Sequence, residues 1–475
     1  MMEPTLGHIW EALTEYSATG DEPVLSSVVI DSREADPGSL FIALAGERTD
    51  GHEYVGSAFD RGAIAALVER TPLDNVAVIN LRDNGSSAIE LWDGTLPVFI
   101  LVDNSLAALQ EAASFWRAKF NVQVIGITGS VGKSSTKELA TTVLSQRYRT
   151  FKSPGNRNSI IGLPPALFDL RPEHERAILE MGMYTTGEIE RLCEITQPRV
   201  GVVTMIGPVH LERARTMETI IAAKRELVEA LPENGTAILN RDDDRVMAMG
   251  SYTQARIFTY GLDNRADLWA DNIHSMGLSG IRFTLHHGHE TLSLSVPILG
   301  RHSVHTALRA AAIGLVENLS WEEIAAGLSE TTLAEFRLVA APGPRKSIII
   351  DDTYNSSPDS ALAALNLLSD LAGRHIAVLG DMLELGSAEE ESHRLVGRRA
   401  ADVAQILVAI GHRSRIIAEE AKEVGMSDSN VYWVEEAADA IPLLETMIGE
   451  GDAILIKGSL GMRLDQIVSA IGRMN

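Results

Sequence analysis

The final third of the chain alternates so regularly that it admits one fold class. Short apolar runs, SIIIDD, HIAVLGD, ILVAIG, VYWV and AILIKGS, recur between residues 347 and 459 with helix-length stretches between them. Near-continuous apolar runs describe strands buried on both faces, and strands that alternate with helices pair in parallel with the helices covering the sheet. A doubly covered parallel sheet is therefore expected from about residue 338 onward.

The same grammar recurs less regularly upstream. Between about 24 and 70, VLSSVVIDS, SLFIAL and AIAALVER alternate with the turn-forming ADPG and GERTDGHE, as in a small α/β unit. The polar stretch LRDNGSSAIELWDGTLP, ending at 97, reads as loop. FILVDNSLAALQEAASFWRAKF then gives a strand and a helix, followed by the β-rich VQVIGIT. RAILEMG and RVGVVTMIG read as buried strands, and METIIAAKRELVEAL as an amphipathic helix. IRFTLHHGHETLSLSVPI reads as antiparallel and HTALRAAAIGLVENLS as helical. A chain of 475 residues at about 150 residues per domain allows roughly three domains. The expected division is 1–100, 101–337 and 338–475, all α/β, the last Rossmann-like.

Composition excludes several partners. The formal net charge of -24 repels phosphate backbones, so no nucleic acid is expected, while a local basic pocket for a small anion is compatible with it. A single cysteine, Cys193, permits no internal disulfide and suits a reducing cytoplasm. The N-terminus MMEPTLGHIWEALTEYSATG lacks the basic and apolar regions of a signal peptide. No uncharged apolar run reaches the roughly 18 residues that span a bilayer, so no membrane insertion is expected. The protein is expected to be cytoplasmic and a monomer.

The densest chemical signal is GITGSVGKSSTKELA, residues 126–140. It misses the phosphate-loop pattern G-x-x-x-x-G-K-[ST] by one glycine: Ile127 stands where that glycine belongs, with Gly126 and Gly129 to either side. The context is nonetheless that of such a loop, with Val122–Thr128 reading as a strand and Ser134–Tyr148 as a helix. Gly129, Ser130, Val131, Gly132, Lys133, Ser134 and Ser135 offer consecutive backbone N–H groups, a helix N-terminus, an ammonium for phosphate oxygens and hydroxyls for Mg²⁺. The alternative is a tight strand-to-helix turn bearing a solvated lysine.

The shorter spacing T-G-x-x-G-K-[ST]-[ST] resembles that of the Mur ligases, the ATP-dependent amide-bond ligases of peptidoglycan synthesis, and further motifs extend the resemblance along nearly the whole chain. DSREADPGSLFIALAGERTDGHEYVGSAFDRGA is similar to the family's uridine-nucleotide domain, which implies Ser32 and Arg33 beside the UDP group. PGNRNSIIGLP resembles the family's asparagine-rich loop and offers Asn156 and Asn158 to the same substrate. Glu180, ending RAILEMG, and His210, in MIGPVHLE, match positions that hold Mg²⁺ with Ser134; a buried carboxylate at Glu180 also calls for a compensating cation or donor on physical grounds. Lys224, in AAKRE, matches the lysine that reacts with CO₂ to give a carbamate, turning a cation into an anion that helps organise Mg²⁺. Without the resemblance His210 reads as structural and Lys224 as a solvated helical lysine.

The C-terminal segments IIIDDTYNSSPDS and IAVLGDMLELG resemble those that close on ATP and an incoming dipeptide, which implies site roles for Asp352, Tyr354, Asn355 and Asp381. Read alone, they are loop caps at strand ends. Arg337, in AEFRLV, matches a linker arginine that reaches ATP, and ILIKGS places Lys457 and Ser459 at the last strand's carboxyl end, where open α/β sheets bind ligands. The resemblance implies a ligase joining D-alanyl-D-alanine to UDP-N-acetylmuramoyl-tripeptide with ATP and Mg²⁺ through an acyl phosphate, with Lys133, Glu180, His210 and Lys224 at the chemistry. Rival readings are a sibling ligase adding one amino acid, a folylpolyglutamate synthase, or a silent nucleotide-binding homologue. Three stretches depart from the family pattern: Gly300–Ser303 reads GRHS where an asparagine is usual, LERARTME follows His210, and Leu460 replaces an arginine.

Overall fold

The structure, a computed structural model, describes residues 2–46, 49–82, 85–208, 211–330 and 338–472, without the side chains of Arg213 and Ala214. It is a three-domain α/β architecture built on three sheets. By packing, the chain forms two compact units: Met1–Gly126 with Tyr148–Met183 and Gly187–Arg199, and Ile127–Arg147 with Tyr184–Thr186 and Val200–Asn475.

The first sheet contains β1 (Val28–Val29), β2 (Leu40–Ile42), β3 (Ala65–Val68), β4 (Ala77–Asn80) and β5 (Val98–Leu101), ordered β1-β2-β3-β5-β4 and parallel throughout. Its central strands carry small and branched apolar residues, and β3 is buried along its whole length, as a sheet covered on both faces requires. The stretch ending at 97, read as loop, contains a helix at Gly85–Glu90. Two apolar residues within a polar sequence account for it: Ile89 is buried, and the nearby Trp92 packs edge-on against Trp10 at 5.4 Å. Tertiary burial overrides weak local propensity here.

The second sheet has nine strands in the order β14-β13-β12-β11-β10-β9-β6-β8-β7. They are β6 (Gln123–Thr128), β7 (Thr150–Lys152), β8 (Arg176–Glu180), β9 (Val200–Val203), β10 (Thr236–Asn240), β11 (Arg256–Gly261), β12 (Leu268–Ser275), β13 (Ile281–His287) and β14 (Glu290–Val296). β9 to β12 run parallel, whereas β12, β13 and β14 are antiparallel, as the alternating sequence of that stretch suggests. The β13–β14 hairpin turns at Gly288, whose φ of 59° lies in the left-handed region.

The third sheet is the one the alternation predicts: β15 (Val339–Pro342), β16 (Ile348–Asp352), β17 (His375–Gly380), β18 (Ile406–Ile410), β19 (Val431–Val434) and β20 (Ala453–Lys457), ordered β15-β16-β20-β17-β18-β19. All pairs are parallel except β15 with β16. β15 was not legible as a strand because its sequence, VAAP, is short, only partly buried and ends in proline, all features of an edge. Separate apolar clusters cover the two faces, one holding Ala377, Leu407 and Leu455, the other Ile376, Val408 and Ile454.

Strand order places β16, β20 and β17 side by side, so the residues at their carboxyl ends converge. Sequence-distant Asp352, Asp381 and Ser459 thereby become neighbours of one sheet edge.

Leu455 is fully buried in β20, between two paired strands. Leu455→Ala is expected to cost about 2–5 kcal/mol of stability through lost burial and the cavity left behind. Urea unfolding of the full chain measures it, and a loss under about 0.5 kcal/mol, the range of surface substitutions, would contradict this packing.

Candidate functional site

β6 ends at Thr128, and the chain turns through Gly129 to Gly132 into the helix Lys133–Leu144. The helix begins one residue before the sequence suggests and stops at Leu144 rather than Tyr148, with Ser145 as its C-cap. Two glycines make the turn. Gly129 has φ 138°, and a Cβ there would stand 1.8 Å from Thr204 Oγ1, so only glycine lets the loop approach the chain after β9. Gly132, at φ 87°, is the helix N-cap.

Side chains fix what the glycines permit. Thr204 donates its hydroxyl to the Val131 carbonyl at 2.7 Å, and its N–H donates to Thr128 O at 2.9 Å. The Ser130 N–H donates to Met205 O at 2.8 Å, while its hydroxyl donates to Gly207 O at 3.0 Å and accepts from Gly207 N–H at 2.9 Å. The Lys133 ammonium donates to Gly129 O at 2.9 Å, across the mouth of the loop. Ser134 and Ser135, in the helix's first turn, are half-buried. The arrangement is a short, rigid cradle opening onto a helix N-terminus.

Lys224 lies on the helix Met217–Glu229 and is 1% exposed. Burial pushes its ammonium well below the usual lysine range, and the positive charge of Lys133 pushes the same way. A buried amine held neutral is a nucleophile.

The segments carrying Ser32, Arg33, Asn156 and Asn158 belong to the first compact unit. Arg157 Nη2 bonds Glu34 Oε2 at 2.6 Å, which brings the 32–34 turn and the 156–158 loop together. Ser32 is buried; Arg33 is exposed and chelates Asp31, with its Nη2 2.6 Å from Oδ2. Asn158 donates from Nδ2 to Glu180 Oε1 at 2.8 Å, and its carbonyl accepts the Gly182 N–H at 2.7 Å. Glu180, 1% exposed at the end of β8, thus has a donor for its buried carboxylate. Asn156 is exposed. His210 and Arg337 lie outside the described residues.

At the carboxyl edge of the third sheet, Lys457 Nζ donates to Asp352 Oδ2 at 2.6 Å and to Asn355 O at 2.8 Å, in a site where lysine and aspartate are both buried. Asp381 Oδ1 accepts the Ser414 N–H at 2.7 Å, and Ser459 Oγ accepts the Leu383 N–H at 2.9 Å. Tyr354 is half-buried and Asn355 exposed. Of the departures, Ser303 turns its hydroxyl back onto Leu299 O at 2.6 Å, and Leu460 is 54% exposed. The 211–214 turn, where LERA stands, meets the GDMLELG segment: Glu212 N–H donates to Glu384 O at 3.3 Å.

Sequence reasoning missed His393. It is fully buried, accepts the Met382 N–H on Nε2 at 3.1 Å and donates from Nδ1 to Glu389 O at 2.7 Å, which fixes the neutral tautomer and holds the GDMLELG turn. Its signal was a lone histidine in a helix rich in charge, indistinguishable from a surface residue. Arg309, taken up below, was hidden in the same way.

A glycine turn that leads from a strand into a helix N-terminus, in a chain that also carries a Rossmann-like sheet, is the form of a nucleotide-dependent enzyme class. The comparisons are more specific. The Mur ligase family, catalytic domain, matches residues 24–117, the Mur ligase middle domain 127–314, and the Mur ligase glutamate ligase domain 336–460. UDP-N-acetylmuramoyl-tripeptide--D-alanyl-D-alanine ligase of Bacillus subtilis is 34% identical, with 94% of this chain and 93% of that protein covered. MurF from Acinetobacter baumannii superposes with a TM-score of 0.84 at 28% identity, covering 100% of this chain and 99% of that one. MurF ligase from Thermotoga maritima, solved in complex with ADP, shares the fold with a TM-score of 0.79 at 24% identity, covering 94% and 97%. The chain belongs to the Mur ligase family.

The His393 ring supplies a pH test. Burial lowers its pKa below 6.5, chiefly by desolvation. The unfolded chain therefore binds the proton more readily, so this contribution to stability is complete above the unfolded value and is lost as pH falls toward the folded one. His393→Gln is expected to flatten the drop in thermal stability between about pH 7.5 and about pH 5.5. An unchanged slope would contradict the neutral buried ring.

Proposed function

We propose that this chain joins D-alanyl-D-alanine to UDP-N-acetylmuramoyl-tripeptide, an ATP-dependent amide-bond ligation in peptidoglycan precursor synthesis. The observation that carries it is similarity along nearly the full length to the B. subtilis protein of that name, with DDTYN and GDMLELG at the carboxyl ends of the two strands that flank β20. The domains proposed for UDP-substrate binding, ATP binding and closure on the dipeptide are 1–100, 101–337 and 338–475.

The chemistry sets the requirements. A carboxylate does not acylate an amine at neutral pH, because it is electron-rich and would have to expel oxide. Transfer of the γ-phosphoryl group from ATP to the terminal carboxylate oxygen of the tripeptide forms an O–P bond and breaks the bond to ADP. The dipeptide's free amine then attacks the acyl carbon, a C–N bond forms, phosphate leaves and the amine's proton passes to solvent. Phosphoryl transfer of this kind needs positioning and charge stabilisation rather than a side-chain nucleophile. Gly129, Ser130, Gly132, Lys133, Ser134 and Ser135 are the proposed phosphate cradle, joined at ATP by Arg337 and Asp352. Ser32, Arg33, Asn156 and Asn158 are proposed for the UDP-linked substrate, and Tyr354, Asn355, Asp381, Lys457 and Ser459 for the dipeptide and closure over it. Excluding water there protects an acyl phosphate from hydrolysis.

Motif register assigns Ser134, Glu180, His210 and Lys224 to Mg²⁺, which bound there would neutralise charge on the phosphates. Magnesium usually takes one or two carboxylates with phosphate oxygens and water, and hydroxyl and carboxylate oxygens of this set fit that preference. Among the described residues, no three His, Cys, Asp or Glu side chains gather as a metal cluster of their own. The carbamate proposed at Lys224 requires a neutral amine to attack CO₂, and its buried, lowered ammonium supports that. The proposed setting is the cytoplasm and the proposed state a monomer; among the described residues no helix is long and apolar enough to cross a membrane.

The test is phosphate release by the purified protein with Mg²⁺-ATP, given UDP-muramoyl-tripeptide and D-Ala-D-Ala singly and together. Release is expected only with both, with a product heavier by the condensed dipeptide. Turnover with single amino acids but not the dipeptide would overturn the substrate assignment, and no release from folded, ATP-binding protein would overturn the ligase reading.

A further inference from the structure

Arg309 lies on the helix Val304–Val316, a segment whose apolar and small residues otherwise pack into the core. It is 5% exposed, yet among the described residues no carboxylate pairs with it; its partners are neutral. Nε donates to Thr136 Oγ1 at 2.6 Å, and Nη2 donates to Thr306 Oγ1 at 3.0 Å. The guanidinium carbon sits 5.9 Å from the centre of the Tyr260 ring. A guanidinium buried without an anion is costly, and such a group persists where an anion compensates it or a structure depends on it.

Two of those partners, Thr136 and Tyr260, lead to the phosphate loop. Thr136 donates its hydroxyl to Gly132 O at 2.6 Å, so Arg309 braces the left-handed N-cap of the loop helix through one intermediary. Nη2 itself stands 2.8 Å from the place a Gly132 Cβ would occupy. On the other side the Tyr260 hydroxyl donates to Thr204 O at 2.9 Å, and Thr204 holds the Val131 carbonyl. Gly132 and Val131, the two residues before Lys133, are therefore both tied to the surroundings of one buried cation.

We propose that Arg309 is a positioning residue for the nucleotide: it fixes the Gly132 turn through Thr136 and places an uncompensated positive charge behind the loop, for which the polyphosphate of the bound nucleotide is the counter-anion. The inference rests on the phosphate loop being the nucleotide site. It assigns a role in ground-state affinity for phosphate groups from behind the loop, whereas the Lys133 ammonium lies across its mouth. Thr306 belongs to the same device, because its hydroxyl accepts the second arm of the guanidinium.

The experiment compares wild type, Arg309→Lys, Arg309→Gln and Lys133→Met by calorimetric binding of ADP, AMP and adenosine to the full chain, with KM for ATP and kcat alongside. Arg309→Gln keeps donors of similar reach and loses the charge. It is expected to weaken ADP about tenfold, a change of the size that follows loss of one charge-assisted interaction, to weaken AMP less and to leave adenosine unchanged. KM for ATP should rise in parallel while kcat changes less, and Arg309→Lys should recover part of the loss. Equal weakening of ADP and adenosine, or no change in either, would overturn the proposal, as would a fall in kcat at constant KM. If Arg309→Gln does not fold, Arg309→Lys decides by the same readout, with charge kept and the Nε bond to Thr136 lost: adenosine must be unaffected and KM for ATP raised. Lys133→Met separates the two readings. If it leaves ADP affinity intact, the loop is not the nucleotide site; if it abolishes binding while Arg309→Gln and Arg309→Lys match wild type, only the Arg309 inference fails.

Discussion

The close approach of Gly129 to Thr204 is the constraint on which the proposed phosphate cradle depends. With no Cβ in the way, the turn after β6 lies directly on the segment following β9, and Thr204 then uses its side chain to hold Val131 while its backbone extends the pairing to Thr128. A loop one glycine short of the commoner phosphate pattern is rigid for this reason. Its neighbours rather than its own length determine its shape. Ser130 adds a reciprocal pair of bonds with Gly207, so Thr128, Ser130 and Val131 are all tied to the stretch 204–207. A preorganised set of donors costs little to reorganise when charge arrives, which is the source of electrostatic catalysis in phosphoryl transfer.

Burial of charge is the second theme. Lys224, Lys457 and Arg309 are all buried, and each meets a different fate. Lys457 is paired with Asp352 and with a carbonyl, and the pair ties β16 to β20 across their carboxyl ends. Lys224 has its ammonium disfavoured by burial and by Lys133, which favours the neutral amine. Arg309, whose guanidinium does not readily give up its proton, is left as a fixed positive charge near the loop. Local environment, more than residue type, separates a paired cation, an amine whose ammonium is disfavoured and a buried guanidinium with neutral partners.

The parallel strands were legible because they are short unbroken apolar runs that alternate with helix-length stretches, and that alternation marks a parallel sheet. The edge strand Val339–Pro342 and the helix Gly85–Glu90 were not, since each depends on contacts that the local sequence does not encode. Motif residues in the loop could be located because glycine, lysine and serine at fixed spacing have few other uses. Arg309 and His393 carried no such mark: an arginine in an alanine-rich helix and a histidine in a charged one become informative only when the fold shows them buried, with partners in the phosphate loop and the GDMLELG turn. Ser303 was visible as a departure, but its bond to Leu299 O was not.

The proposed ligation depends on activation of the tripeptide carboxylate by ATP as an acyl phosphate. The most direct measurement labels that carboxylate with ¹⁸O and follows the label during a full turnover with ATP and D-Ala-D-Ala. The released inorganic phosphate is expected to carry one ¹⁸O atom for each amide bond formed, because the oxygen that attacks phosphorus leaves with it. Phosphate free of label, with amide product accumulating, would contradict it.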